Sequence, residues 1–286
     1  MTILVKVIAD SLSIEGVRLT TFELEYPRII HSEFMTHRMF SRNAASSRAI
    51  PVDSIISSLE TNPYSPIAWT CNKPGMQGGE PLLGYKDAMA TIAWDRGLSN
   101  AIATAKELRG LNVHKQYANR GLEPYSFIKV VVTATEYDNW FELREHPDAQ
   151  PEIHELANLM RLSLHESSPE VLRPHEWHTP YVGHSRDQFG GMIYGQGLSL
   201  QDAQKVSVSC CAQVSYRKLD DSLDKALRIY DQLYHSKPVH GSPFEHVARP
   251  MDLTIGGFNK GQTHMDAKGD MWSANFKGFI QYRQSL

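Results

Sequence analysis

Hydrophobic and polar residues alternate in two segments near the start of the chain. Residues 1–10 and 20–26 change character at almost every position, and Pro27 follows the second segment. A period of two is typical of a β-strand with one buried face, and proline ends a strand because it has no N–H to donate. The pattern therefore predicts two strands. Residues 29–40 carry an apolar stripe at helical spacing, which predicts a helix.

The middle of the chain is mostly helical in its pattern. Residues 85–111 and 151–167 predict two long helices, and residues 136–144 predict a shorter one. Another helix is expected to begin within residues 113–120. Residues 130–135 are rich in β-branched side chains and predict a short strand.

Two connections rich in proline and glycine interrupt these elements. Residues 62–84 predict a long ordered loop or lid, and residues 173–200 predict a second irregular connection. Residues 206–216 predict a strand that leads into a helix. Residues 222–233 have a clear apolar face and predict an amphipathic helix. The order of elements is that of an α/β protein.

Composition limits the classes of function. The chain has 286 residues, of which 41% are hydrophobic and 21% are charged, enough for one large domain or two small ones. Its formal net charge of −3 gives no general attraction for nucleic acid, so any phosphate recognition must be local and favours small nucleotides. No run of about 20 apolar residues predicts a membrane span, and the N-terminus lacks the pattern of a secretion signal. We therefore expect a cytoplasmic protein.

The cysteines and histidines do not predict a metal site. Cys71 stands alone and Cys210 adjoins Cys211, so neither a disulfide framework nor zinc-ligand spacing is present. All three are predicted to be small buried hydrophobic residues. The histidines also lack the spacing of metal ligands.

Residues 36–48 form the densest group of polar side chains in the chain. Three arginines, one histidine, one asparagine and three serines lie within thirteen positions. The planar guanidinium group of arginine matches phosphate oxygens, and hydroxyl groups can complete the coordination. The group predicts an anion site, with a solvent-exposed loop held by salt bridges as the alternative.

These residues resemble the signature R-H-R-x-x-S-x-N-E-x-S-x-R-Y of flavin-dependent thymidylate synthases. The matching positions are His37, Arg38, Ser41, Asn43, Ser46 and Arg48. Three positions depart from it, because Thr36 stands in place of the first arginine, Ala44 in place of the glutamate and Ala49 in place of the tyrosine.

A second block has the order and spacing of the same family. Residues 139–144 followed by residues 149–153 resemble its N-x-x-x-L-R and A-Q-x-E-I segments. Asn119 and Arg120, ahead of Pro124, resemble the segment that carries a substrate-binding arginine. Without this resemblance Arg144 would be interpreted as a surface arginine of a helix.

Two further blocks match the family but lie near the C-terminus. Residues 212–216 resemble A-R-V-S-[YF], and residues 240–246 contain S-P-F-E-H, both of which normally precede the arginine signature. The order predicts a circular permutation, which proteins tolerate when their termini lie close together. Residues 279–284 resemble the segment before the signature, so Arg283 is a candidate for the positive charge that Thr36 does not carry.

The resemblance implies the fold and the domain organisation. It implies a single α+β domain over residues 1–286, with a central antiparallel sheet and long packed helices. Residues 1–60 would supply a sheet edge and the signature, residues 85–167 the helical region with the substrate arginine, and residues 205–286 the displaced flavin segment. The family forms homotetramers whose sites are built from several subunits, and we expect the same assembly.

The resemblance also implies a reaction. Members of the family convert dUMP to dTMP with FAD as hydride carrier, methylenetetrahydrofolate as carbon donor and NADPH as reductant. The cofactors perform the transfers, while the protein supplies orientation and charge. We therefore expect dUMP or a similar deoxynucleotide as substrate.

Transfer of the family's roles by position gives the expected site. Arg144 is the expected catalytic residue, because a fixed guanidinium favours negative charge on the pyrimidine. The nucleotide is expected to contact Glu33, Thr36, Ala44, Ser46, Ser47, Arg48, Arg120 and Arg144. The flavin is expected to contact Thr36, His37, Arg38, Asn139, Ser215, His240, Ser242 and Glu245.

Three of these flavin candidates have ordinary structural alternatives. His240 could be a turn residue, Ser242 an N-cap, and Glu245 a first-turn carboxylate that complements a helix dipole.

Ala44 leaves the product of the reaction open. A methyl group can neither accept a hydrogen bond nor pass a proton, as the family's carboxylate can. One alternative is another flavin- and folate-dependent modification, such as hydroxymethylation of dUMP. The other is a nucleotide-binding homologue without catalytic activity.

Overall fold

A five-stranded sheet forms the centre of the molecule. The computed structural model describes residues 3–215, 222–254 and 258–286. The strands of the central sheet are β1 (Leu4–Ser13), β2 (Arg18–Pro27), β3 (Ser41–Ala44), β4 (Phe127–Ala134) and β5 (Glu170–Leu172). Their order is β3-β4-β2-β1-β5, and every neighbouring pair is antiparallel except β1 and β5.

Helices and small sheets surround this centre. The helices are α1 (His31–Phe34), α2 (Val52–Thr61), α3 (Tyr85–Gly110), α4 (Lys115–Ala118), α5 (Asp138–Arg144), α6 (Pro151–Glu166), α7 (Leu200–Ala212) and α8 (Leu223–His235). The smaller sheets contain β6 (His184–Arg186) with β7 (Met192–Tyr194), β8 (Ala248–Pro250) with β12 (Phe279–Gln281), and β9 (His264–Met265), β10 (Met271–Ser273) and β11 (Phe276–Lys277). Among the described residues no helix combines the length and apolarity that a membrane span requires.

One face of the central sheet is apolar and positions α5. Phe22 on β2 and Val132 on β4 are opposite each other in the register and fully buried, together with Trp140 of α5. The Trp140 ring meets the Phe34 ring edge-on at 5.1 Å between centroids. Burial of such side chains contributes about 1.5–3 kcal/mol each. This packing fixes the helix that carries Arg144.

The other face of the sheet carries a row of hydrogen-bonded hydroxyl and imidazole groups. The hydroxyl of Thr21 lies 2.7 Å from that of Thr133 and 2.7 Å from Nε2 of His178. Ser11 Oγ contacts His178 Nδ1 at 2.8 Å, and Thr133 Oγ1 contacts His246 Nδ1 at 2.7 Å. All five residues are buried, and Nε2 of His246 has no partner among the described residues. The row joins the sheet to residues that are distant in the sequence.

The fold class predicted from the sequence is confirmed. The two N-terminal strands, the strand at residues 130–135 and the helices at residues 85–111, 151–167 and 222–233 all form close to the expected bounds. Residues 62–84 form a connection with no helix and no strand longer than an isolated bridge. Cys210 and Cys211 are buried as predicted, but Cys71 is exposed, so that prediction was wrong for it.

The helix predicted over residues 29–40 is mostly absent. A 3₁₀ turn precedes the four-residue helix α1, and the chain then turns towards β3. The Arg42 guanidinium donates to the carbonyl oxygens of Met35 and His37 at 2.9 and 3.0 Å, which takes the place of continued helical bonding.

Two other predicted elements, one strand and one helix, need correction. Residues 206–216 do not form a strand, since α7 continues to Ala212, and Tyr216 lies outside the described residues. Ser199 caps this helix by accepting from the N–H of Asp202. The helix is buried on several sides, so the sequence of residues 206–212 lacks the polar face that usually indicates a helix. The helix expected in residues 113–120 is only the four-residue α4, after which a 3₁₀ turn spans Arg120–Tyr125.

Candidate functional site

A cleft of about 660 Å³ lies beside the first half of the signature. One wall comes from the turn before β3 and from α5, and the other from the small sheet of β9, β10 and β11. The expected site residues in its lining are Thr36, His37, Arg38, Asn139 and Arg144. The structure thus brings together five of the residues that the resemblance singled out.

Arg144 is held in this cleft from two sides. Its Nε donates to His37 Nε2 at 2.9 Å, and its Nη1 pairs with the Glu33 carboxylate. Arginine has five N–H donors, so these contacts leave the Nη2 group available to another acceptor. Only 17% of the Arg144 side chain is exposed. The guanidinium is therefore fixed in place while retaining free donors.

His37 is neutral and has a defined tautomer. Burial, followed by the charges of Arg144 and Arg42, lowers its pKa from 6.5 to about 4. Because Nε2 accepts from Arg144, the single proton lies on Nδ1. The ring also packs edge-on against Trp140, with 4.8 Å between centroids. His37 is thus a rigid acceptor that orients Arg144.

The opposite wall was not predicted from the sequence. Its residues in the cleft are Asp266, Lys268, Asp270, Trp272 and Lys277. Trp272 donates from Nε1 to Asp266 at 3.0 Å and stacks on His264, whereas Lys277 pairs with Asp270 at 2.7 Å. These strands have two or three residues each, too few to show a period. In the sequence, only the closely spaced charged residues and the tryptophan indicated that this segment could contribute to a site.

The second half of the signature borders a different cavity. Ser47 and Ser215 line a space of about 110 Å³, together with Arg28 and Glu123. Ser47 Oγ donates to Glu123 Oε1 at 2.6 Å, and Arg120 Nη1 donates to the same oxygen at 3.0 Å. The strand β3, about 13 Å long at the usual rise per residue, separates these residues from the cleft. The expected nucleotide residues are therefore divided within one chain, because Thr36 and Arg144 line the cleft whereas Ser47 lies at the second cavity.

The C-terminal blocks pack against the signature. The Ser46 N–H donates to Ser215 Oγ at 3.0 Å, so Ser215 lies with the nucleotide group and not in the cleft. Asn43 donates to the Cys211 carbonyl at 2.9 Å. Ser41 Oγ accepts from Gln281 Nε2 at 3.3 Å. Proximity of these blocks fits the family arrangement, while circular permutation itself stays a prediction.

A third group lies outside both cavities. The 3₁₀ turn Ser242–Glu245 has Gly241 at its N-cap and no side-chain capping bond, so the alternative role of Ser242 as N-cap is not seen. Glu245 pairs with Arg283, and neither residue lines the cleft. His240 is exposed and donates its N–H to the Ser236 hydroxyl at 2.9 Å. Arg283 therefore does not bring a charge to Thr36.

Arg48, Thr36 and Ala44 complete the signature. Arg48 and Thr36 are exposed, and Thr36 donates to the Glu33 carbonyl at 2.7 Å. Ala44 pairs with Val130 in the register of β3 and β4 and is partly buried against the main core.

No three His, Cys, Asp or Glu side chains in the described part of the chain come close enough to hold a metal ion.

The cleft fits a planar aromatic cofactor with phosphate groups. Its volume lies within the range of about 300–1,000 Å³ that is usual for such sites. Trp272 offers aromatic surface, and Arg38 and Lys268 offer positive charge. The carboxylates of Glu136 and Asp138 lie in the same lining and would disfavour phosphate beside them. Burial raises the pKa of Glu136 above its ordinary value.

Comparison with known proteins identifies the family. The family model described as thymidylate synthase complementing protein matches residues 14–170. Two crystal structures of the UMP/dUMP methylase PolB from Streptomyces cacaoi, bound with 5-Br dUMP or 5-Br UMP, are similar at 16% identity. They cover 57% of this chain and 90% or 89% of theirs, with TM-scores of 0.45 and 0.46. No curated protein gives a significant match. Since the matched family segment includes the signature and Arg144 and exceeds half of the sequence, the chain belongs to the thymidylate synthase complementing protein family.

Proposed function

We propose that the protein catalyses reductive methylation of dUMP to dTMP, with methylenetetrahydrofolate as carbon donor, FAD as hydride carrier and NADPH as reductant. The observation that carries this proposal is the position of Arg144, a fixed guanidinium with free donors in a cleft lined by family residues. The family membership supplies the reaction class.

His37, Arg38 and Asn139 are the proposed flavin contacts, and Trp272 joins them from the other wall. When bound, FAD supplies the hydride transfer. The His37 ring is neutral and carries no positive charge. Arg38 and Lys268 are therefore the cations that would neutralise cofactor phosphates. The buried Trp140 side chain excludes water from the base of the cleft.

Arg144 is proposed to bind the pyrimidine carbonyl and N3 through its Nη2 group. Negative charge that develops on the ring is then stabilised by a charge already in place, which costs no reorganisation. Glu33 and His37 act as positioning residues, because each holds one side of the guanidinium. Ser46, Ser47, Arg48 and Arg120 are proposed to hold the 5′-phosphate.

The separation of the two groups supports a shared site between subunits in a homotetramer. Tyr85, Met89 and Ile92 follow helical spacing on α3 and are 78%, 43% and 55% exposed. Ala105 is the one fully buried residue in this 26-residue helix. Such an exposed apolar face is typical of a helix that packs against another chain.

Substitution of both Met89 and Ile92 by glutamate is therefore expected to dissociate the assembly. Sedimentation equilibrium should shift from a tetramer towards the chain mass of 32.3 kDa, with loss of turnover. Thr104→Glu, at an exposed position of α3 twelve residues beyond Ile92, serves as the matched control. A parent protein that sediments as a monomer at micromolar concentration would contradict the shared site.

A changed product is the second candidate, and Ala44 is the observation that favours it. The methyl group lies on β3 opposite Val130, where it offers no acceptor or proton carrier. Hydroxymethylation of dUMP would keep the same proposed contacts for phosphate, pyrimidine and flavin.

The absorbance spectrum and the product mass test these two candidates together. We expect the purified protein to show a flavin spectrum that changes when dUMP is added, because pyrimidine and flavin would be adjacent. With methylenetetrahydrofolate and NADPH, mass spectrometry should show dTMP, and omission of the folate should abolish it. Hydroxymethyl-dUMP would replace the main proposal by the second. Colourless protein that FAD cannot reconstitute would exclude both.

A further inference from the structure

Glu123 lies among the residues proposed to hold the nucleotide phosphate. It belongs to the 3₁₀ turn Arg120–Tyr125, and its Oε1 atom accepts from Ser47 at 2.6 Å and from Arg120 at 3.0 Å. The Arg28 guanidinium lies 3.6 Å from the same oxygen. One carboxylate oxygen thus meets a hydroxyl and two cations.

This set of donors is one that a phosphate oxygen would also use. Hydroxyl and guanidinium groups bind carboxylates and phosphates with the same geometry, and bonds to charged acceptors are the stronger kind. Ser47 and Arg120 therefore cannot give the same N–H and O–H groups to a phosphate without releasing Glu123.

The surroundings provide space for such an exchange. The adjoining cavity of about 110 Å³ holds roughly three or four water molecules, which is comparable to a phosphate group. Arg120 is 56% exposed and can move, whereas Arg28 is 16% exposed and also donates to the Ala45 carbonyl at 3.4 Å, so it remains as a cation beside the cavity.

We propose that Glu123 sets the affinity of the site for the 5′-phosphate by competing with it for Ser47 and Arg120. A phosphate monoester carries up to two negative charges and several acceptor oxygens, so it can displace the single carboxylate, but part of its binding free energy is lost in doing so. The proposal rests on the proposed function in that Ser47 and Arg120 bind the phosphate of dUMP.

Glu123→Gln tests this competition in the flavin-loaded enzyme. Glutamine keeps the size and the acceptor for Ser47 but removes the charge, so calorimetry should show dUMP binding about tenfold tighter than in the parent. Binding of deoxyuridine, which has no phosphate, should not change. Glu25→Gln is the matched control, because Glu25 lines the same cavity but has no contact with Ser47 or Arg120.

Two results would overturn the proposal while leaving the proposed function intact. One is a folded Glu123→Gln variant that binds dUMP no tighter than the parent. The other needs no variant, namely a crystal structure of the parent enzyme with dUMP in which Ser47 and Arg120 still donate to Glu123. A parent enzyme that binds neither dUMP nor any other nucleoside monophosphate would overturn the proposed function as well.

Discussion

Replacement of Arg144 by alanine is expected to lower kcat by about 100- to 1,000-fold, the usual cost of removing one fixed donor to a developing negative charge. The loss corresponds to about 2.7–4 kcal/mol of transition-state stabilisation. Lysine should restore little, because a flexible ammonium cannot contact His37 and Glu33 at once while also meeting the pyrimidine.

Measurements of kcat and KM, with the flavin content of each preparation, distinguish this role from a structural one. Flavin content should stay near the parent value, because Arg144 is proposed to contact the pyrimidine. Arg161→Ala is the matched control, as Arg161 lies on α6 and pairs with Glu145 outside the cleft. A folded Arg144→Ala enzyme with more than a tenth of the parent kcat would remove Arg144 from the proposed mechanism.

Acidification from pH 7 to pH 5 is expected to destabilise the fold markedly. His178 and His246 are both fully buried, and burial lowers the pKa of His246 to about 3 and that of His178 well below its ordinary value. In the unfolded chain both titrate near 6.5. Between these values the unfolded state binds more protons than the folded state, so stability is lost as the pH falls.

For His246 the expected loss is about 2 kcal/mol over this interval, from about 1.4 kcal/mol per pH unit below the unfolded pKa. The buried His178, whose pKa is also lowered, adds a loss in the same direction. Urea unfolding at a fixed protein concentration measures it. In the His246→Asn variant the new side chain can still bond to Thr133 but does not titrate. The slope of its free energy of unfolding against pH should therefore be smaller by about one proton. Equal free energies of unfolding at pH 7 and pH 5 would show that these rings are not held neutral.

The sequence was informative where a pattern is long or a motif is specific. The 26-residue helix α3 follows from its helix-favouring composition, and the paired strands β1 and β2 follow from their alternating pattern. Arg144 could be singled out only through the resemblance, because one arginine at the end of a helix is usually a surface residue. His37 as its acceptor could not be predicted, since their contact spans 107 positions.

Other features depend on tertiary packing that local patterns do not encode. Trp272 reaches the cleft through strands of two or three residues, and α7 is buried on several sides, which hides its helical period. Ser47 is separated from His37 by the four-residue strand β3. The sequence did not predict this strand, because the apolar stripe of residues 29–40 indicated a helix that leads directly into the signature. In each case the contact partner lies far away in the sequence.

The edge position of β3 has a consequence for how the chain folds. Its Ser41 contacts Asn275 and Gln281, which are 234 and 240 positions away, and among the described strands β3 pairs only with β4. Contacts of such long range slow folding, and an uncovered strand edge favours pairing between molecules. During synthesis the edge emerges early, while the residues that shield it emerge more than 200 positions later. Aggregation of the nascent protein is therefore most favoured in that interval, before residues 275–281 have left the ribosome.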